Sequence, residues 1–302
     1  MEKIRIAVVG FGNVGKLAIQ AVEDDPEMEL AGIVEIDNNY YHTAQKTYPD
    51  YSVVTNLNQI EHVDVAILCF ASLSIPAYAS SLLEDGINTV DSYDLHGDKF
   101  IQLKETLHAA SIKGNSVSIS AAGWDPGTDS LIRSIFEIVS PKGITHTNFG
   151  PGMSMGHTVE VKKLEGVKKA LSITMPKGMG KHLRQVFVEL KEGYQISEIE
   201  KEMGKNEYFK NSEFVLSEVD DIEALKDYGH GVHLTRKGVS SQVHNQFMSF
   251  ELRITNPAVT AQVMVNAARA ALKQPPGNYS LLELPLIDLL PGNNQSSLHR
   301  LV

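Results

Sequence analysis

The stretch Ile4-Arg5-Ile6-Ala7-Val8-Val9-Gly10-Phe11-Gly12-Asn13-Val14-Gly15 decides how this chain folds. The apolar run has strand length, the glycines after it have the spacing G-x-G-x-x-G, and apolar residues then recur at helical spacing over 14–22. A strand, a tight glycine turn and a helix form the first βα unit of a dinucleotide-binding sheet. In that unit Gly10 permits the turn, Gly12 lets backbone approach a pyrophosphate, and Gly15 brings the helix against the strand. Asn13 and Val14 open the helix, whose first turn supplies backbone donors and partial positive charge.

Outward from this unit, strands are expected at 30–34, 63–68, 89–91 and 116–120, alternating with helices at 75–83 and 100–112. Such crossovers impose parallel pairing. After Gly123 the pattern changes to a helix at 129–140 and half-exposed strands at 144–149, 170–175, 186–190, 232–235 and 247–254. Pro257 then opens a helix over 258–272, and Pro275-Pro276-Gly277 closes it. The expectation is an α/β protein. A Rossmann-type parallel-sheet domain spans 1–122, with 257–302 packing back on it, and an α+β domain with a mixed or antiparallel sheet spans 123–256 for substrate binding and dimerisation.

Composition narrows the function. The net charge of −10 disfavours nucleic acid and anionic membrane surfaces, and no apolar stretch reaches the roughly 18 to 20 residues that span a bilayer. The single cysteine, Cys69, allows no internal disulfide and suits a reducing, cytoplasmic setting. No His, Cys or carboxylate spacing matches a metalloenzyme motif, so no metal is expected. A small-molecule substrate is the remaining class.

The end of the second expected strand meets the adenosine ribose of a bound dinucleotide, and Glu35 stands there, twenty residues beyond Gly15. A carboxylate accepts hydrogen bonds from ribose hydroxyls. It repels a 2′-phosphate by about 4 kcal/mol per charge pair at about 4 Å and an effective dielectric near 20. NAD is therefore expected over NADP.

Three further strings are specific. Thr89-Val90-Asp91-Ser92-Tyr93-Asp94-Leu95-His96, Gly123-Trp124-Asp125-Pro126-Gly127 and Phe149-Gly150-Pro151-Gly152-Met153-Ser154-Met155-Gly156-His157 resemble motifs of the meso-diaminopimelate dehydrogenase family, in its shorter branch. With the glycine turn and the Thr255-Asn256-Pro257 helix entry, the resemblance extends over nearly the whole chain. It implies a homodimer that uses NADP to deaminate meso-2,6-diaminopimelate oxidatively at its D-centre, giving L-2-amino-6-oxopimelate and ammonia, with reductive amination as the reverse. Glu35 and Ile36 stand where relatives generally place an arginine pair, which turns the coenzyme expectation toward NAD or dual use. A broader D-amino acid dehydrogenase, and a dinucleotide-sensing protein without catalysis, are the rival readings.

The resemblance also implies site roles. Asp94 and Asp125 flank the reacting amino group, Trp124 packs beside it, and Gly152 and Met153 shape the wall. Thr174, Arg184, His244 and Asn256 hold the distal L-centre. The chemistry suits these types, because carboxylates take an ammonium and a guanidinium clamps a carboxylate through two parallel bonds. Asp94 as a helix cap and Asp125 as a turn residue before Pro126 are the structural alternatives.

Overall fold

The apolar N-terminal run forms β1 (Ile4–Val9), and the helix expected after the glycine turn is α1 (Asn13–Glu23). The structure, a computed structural model, describes residues 3–210, 212–225 and 229–302. Along the chain follow β2 (Met28–Val34), α2 (Asn38–Thr47), β3 (Val53–Val54), β4 (Val65–Leu68), α3 (Ile75–Glu84), β5 (Asn88–Asp91), α4 (Asp98–Gly114) and β6 (Val117–Ile119). Then come α5 (Asp129–Val139), β7 (Lys142–Phe149), β8 (Gly152–Met153), α6 (Met155–Lys162), β9 (Val167–Gly178), β10 (Lys181–Leu190), α7 (Ile196–Met203), β11 (Glu213–Glu218), β12 (Gly229–Ser240) and β13 (Val243–Thr255). The chain closes with α8 (Asn256–Ala271), β14 (Gly277–Tyr279) and α9 (Asn294–Leu301).

Two compact units result, Met1–Ile132 with Pro257–Val302, and Arg133–Asn256. The division falls inside α5, so the segment with Trp124 and Asp125 belongs to the first unit and not to the middle one.

In the first unit seven parallel strands run in the order β14-β6-β5-β4-β1-β2-β3. Helices cover both faces, so the buried part of β1, 6–9, is apolar: Ile6 and Val8 join one buried cluster, Ala7 and Val9 the other. Three elements carried no legible signal. Helix α2 buries only Ala44 and so shows no apolar period, β3 is two residues long, and β14 becomes a strand only by pairing with β6.

The C-terminal segment is tied down by more than pairing. Arg269 of α8 is 4% exposed and reaches two carboxylates in the turn before β2: its Nε donates to Glu27 at 2.6 Å and its Nη2 pairs with Asp25. Leu289 O accepts from the same guanidinium.

The second unit holds two sheets. One runs β11-β10-β9-β8, with β10 parallel to β11 and antiparallel to β9; the other is an antiparallel β13-β12-β7. Helices α6 and α7 bury Val161, Ile199 and Met203 against Val167, Ala170, Val186 and Val188. The mixed sheet arises because β11 follows α7 and returns along β10.

Arg269→Ala strands the buried Asp25 carboxylate without its counter-charge. The expected loss is about 3 to 5 kcal/mol of unfolding free energy, read by urea titration of the first unit's Trp124 fluorescence.

Candidate active site

The glycine turn has the geometry a dinucleotide needs. Gly10 has φ +99°, and a Cβ there would stand 2.6 Å from Cys69 O. A Cβ on Gly15 would stand 1.9 Å from Gly10 O, so only glycine lets α1 approach β1 this closely. Gly12 is the opposite case: a Cβ would meet nothing within 4 Å. No side chain caps α1, whose N-cap is Gly12, and the amides of Asn13 and Val14 begin the helix beside that open space. A pyrophosphate fits this cradle. Burial pushes the Cys69 thiol, just past the end of β4, up to about 12, which leaves it unreactive.

Glu35 leaves the end of β2 and turns back onto the loop. Its Oε2 accepts the Phe11 amide at 2.7 Å, and its Oε1 accepts those of Ile36 and Asp37 at 2.8 and 2.9 Å. The carboxylate thus shapes the glycine turn as well as charging its ribose end. Asp37 caps α2 through the amides of Asn39 and Tyr40, adding a second negative charge. Lys16 of α1 lies over the aromatic rings of the same region, its Nζ 5.1 Å from the Phe11 ring centre and 5.7 Å from that of Tyr40. It makes no ion pair among the described residues.

At the carboxyl ends of β5 and β6 lie the loops with the two candidate aspartates. Asp91, fully buried, clips them together: one carboxylate oxygen accepts the Tyr93 amide at 2.9 Å from one loop and the Ala121 amide at 3.0 Å from the other. Burial raises the Asp91 carboxyl, against these bonds and Ser120, which lower it. Asp94 is half-buried and accepts from Ser72 Oγ at 2.6 Å, while Ser72 Oγ in turn accepts the Asp94 amide at 3.2 Å. The N-cap of α4 is Gly97, so Asp94 is not a helix cap. Asp125 sits in a single wide turn, Trp124–Thr128, in extended conformation, with His96 Nε2 3.3 Å from its Oδ2. Trp124 is 4% exposed.

The second unit gathers another cluster. Thr174 and Arg184 are cross-strand partners in β9 and β10, and Arg184 Nη1 donates to Thr174 Oγ1. Arg184 Nε is buried without a hydrogen-bond partner among the described residues. Burial lowers its pKa below the ordinary arginine range, yet a guanidinium stays charged at neutral pH. Two imidazoles flank it, both held neutral. His157 is pushed down to about 3 by burial and then by the Arg184 charge, and its Nδ1 lies 2.8 Å from Ser154 Oγ. His182 is lowered by the same two causes, and its Nε2 accepts the Phe149 amide at 2.9 Å. Arg184 is therefore the charge of this cluster, with donors to offer a carboxylate.

The structure brings Thr174, Arg184 and Gly152 together but not His244. Gly152 pairs with Thr174, and a Cβ on it would stand 2.5 Å from His230 Cα. Met153 is 6% exposed and packs with Leu171 and Ile222, a core position more than an open wall. His244 is exposed beside the β12–β13 turn. Phe149 pairs with Val232 and Val243 with Ser240, so His244 lies roughly 25 Å along β12 from Phe149 at about 3.3 Å per residue. His230 stands where His244 was expected: it is 7% exposed, 6.4 Å ring to ring from Phe149, with Nδ1 2.9 Å from Gly231 O. Its flanking glycines, Gly229 and Gly231, were the available signal. Asn256 is the half-buried first residue of α8. Asp91, Ser72, His157 and His182 were not picked out as site residues, since each acts through a neighbour. Among the described residues no three metal-ligating side chains converge, and no helix is long and apolar enough to cross a membrane.

Residues 4–92 match the model of an oxidoreductase family with an NAD-binding Rossmann fold, and residues 123–180 match the diaminopimelic acid dehydrogenase C-terminal domain. The meso-diaminopimelate D-dehydrogenase of Bacteroides fragilis is 48% identical over 302 residues, covering 100% of both chains. That of Ureibacillus thermosphaericus is 30% identical, covering 90% of each. Among solved structures, C. glutamicum DAP dehydrogenase in complex with DAP superposes with a TM-score of 0.86 at 26% identity over 100% of each chain. An engineered D-amino acid dehydrogenase bound to NADP+ gives 0.86 at 26% identity over 99% of this chain and 100% of that one.

The neutral imidazoles set a pH dependence. Below the ordinary histidine value of 6.5 the unfolded chain takes up protons that His157 refuses in the fold, so this stability is present above 6.5 and is lost as pH falls toward about 3. The melting temperature is expected to be lower at about pH 5 than at about pH 7, and His157→Asn narrows the difference.

Proposed function

This chain belongs to the meso-diaminopimelate D-dehydrogenase family, and on that premise we propose that it deaminates meso-2,6-diaminopimelate oxidatively at its D-configured carbon. The products are L-2-amino-6-oxopimelate, ammonia and reduced nicotinamide coenzyme, and the reverse reaction is reductive amination. One observation carries the reading at the level of geometry: the Asp91 clip holds the Asp94 and Asp125 loops side by side at the carboxyl edge of a Rossmann sheet. In such sheets ligands bind outside the carboxyl ends of the strands.

Bound nicotinamide supplies the hydride acceptor, and the chain supplies the rest. Asp94 and Asp125 bind the D-centre ammonium, and one of them removes the proton that must leave before the nitrogen lone pair can drive hydride loss. Ser72 fixes the Asp94 carboxylate so that its remaining lone pairs point one way. Trp124, buried and the chain's single tryptophan, limits water around the reacting carbon. In the second unit Arg184, with Thr174 beside it, is the group proposed to take a substrate carboxylate, and the proposed roles of Gly152, His230 and Asn256 are to shape that end.

For the coenzyme, Glu35 and Asp37 at the end of β2 favour the ribose hydroxyls of NAD over a 2′-phosphate. Lys16 offsets part of that charge, so NADP remains usable at lower efficiency. A homodimer built by the second unit is supported by its large exposed apolar side chains, Ile138 and Val139 on α5, Ile144 on β7, and Val243 and Phe247 on β13. The one unreactive cysteine suits work in the cytoplasm.

Reduced-coenzyme formation, followed by absorbance with meso- and L,L-diaminopimelate and with each coenzyme, tests the reading. The meso isomer is expected to react and the L,L isomer not, with NAD giving kcat/KM on the order of tenfold above NADP. Turnover of the L,L isomer overturns the stereochemical assignment. Light scattering is expected to give the mass of two chains, reduced to one by combining Ile138→Asp with Phe247→Asp.

A further inference from the structure

We propose that His96 relays the proton taken by Asp125 to bulk water, an inference that rests on the deamination reading above. The loop after β5 that presents Asp94 also carries His96, and His96 turns across to the other loop, where its Nε2 lies 3.3 Å from Asp125 Oδ2. The two partners differ in their access to water: the Asp125 side chain is 14% exposed and that of His96 is 56% exposed. The carboxylate that faces the reaction is thus sheltered, and an imidazole stands between it and solvent. Beside the pair lies a cavity of about 230 Å³ lined by His96, Gly97, Phe100, Pro126, Gly127 and Ser130. It has room for several waters at about 30 Å³ each.

The proton balance of the reaction requires such a route. The substrate ammonium gives one proton to Asp125 and becomes an amine. The Cα–H electron pair then leaves with its hydrogen as hydride to the oxidised coenzyme, and the C–N bond becomes C=N. Water adds to that carbon, the positively charged imine nitrogen departs as ammonium, and the one proton given to Asp125 at the start has to be discharged per turnover. Asp125 passes its proton to Nε2 of His96, and His96 releases one from Nδ1 to water. Without this transfer the carboxyl stays protonated and cannot accept from the next ammonium. Imidazole titrates close to neutrality, so it both takes and gives the proton readily. In this scheme His96 touches no substrate atom and acts through Asp125.

The test uses the full-length protein with meso-diaminopimelate and oxidised coenzyme in dilute buffer. For His96→Ala the steady-state kcat is expected to fall on the order of tenfold to a hundredfold, while the first turnover of coenzyme reduction keeps its wild-type rate because Asp125 starts ionised. Added imidazole, which fits the enlarged cavity, is expected to restore the rate in proportion to its concentration, and it gives no recovery to Asp125→Asn. His96→Gln keeps a polar partner for Asp125 without a titrating group and is expected to be as slow as His96→Ala. A His96→Gln enzyme at full rate, or a slow His96→Ala enzyme indifferent to imidazole with its melting temperature unchanged, overturns the relay. A wild-type chain inactive on the substrate overturns the deamination reading instead.

Discussion

The carboxyl edge of the first unit's sheet depends on Asp91. Its carboxylate is fully buried and pays for that burial in solvation, and the same oxygen holds backbone amides from two loops that are distant in sequence. Burial acts to raise its pKa while the amide bonds act to lower it. A single acceptor that serves Tyr93 and Ala121 at once fixes the spacing between the Asp94 loop and the Trp124-Asp125 turn more firmly than packing of short loops could.

The glycine turn works by the same logic of close approach. Gly15 lets α1 settle on β1, Gly10 turns the chain against Cys69, and Glu35 fastens the loop by accepting the Phe11 amide. Charge at the end of β2 is thereby coupled to loop shape, because the Glu35 carboxylate that places it there also holds the turn. Arginine at position 35 would remove that negative charge and the anchoring carboxylate together.

The second unit concentrates its charge where a carboxylate would be met. Burial first and the Arg184 charge second lower the neighbouring His157 and His182, so neither competes with Arg184 for an anion. Their hydrogen bonds to Ser154 and the Phe149 amide lock the Phe149–His157 segment beside Arg184. The long motif in that segment thus has a packing explanation as well as a chemical one.

The sequence by itself determined the parallel sheet, the glycine cradle and the carboxylate at the end of β2, because each follows from local periodicity or from residues within one loop, while the aspartates to examine came from the resemblance of two motif strings to a known family. It missed β3 and β14, since a strand of two or three residues is defined by its partner and not by its own pattern. Which histidine lies beside Phe149 and Gly152 was illegible for a related reason: only strand register places His230 there and His244 near the far end of β12. Tertiary structure alone revealed the Asp91 clip, the Arg269 tie and the His96–Asp125 contact. Each joins residues that have no sequence relationship, and burial sets how strongly their charges interact.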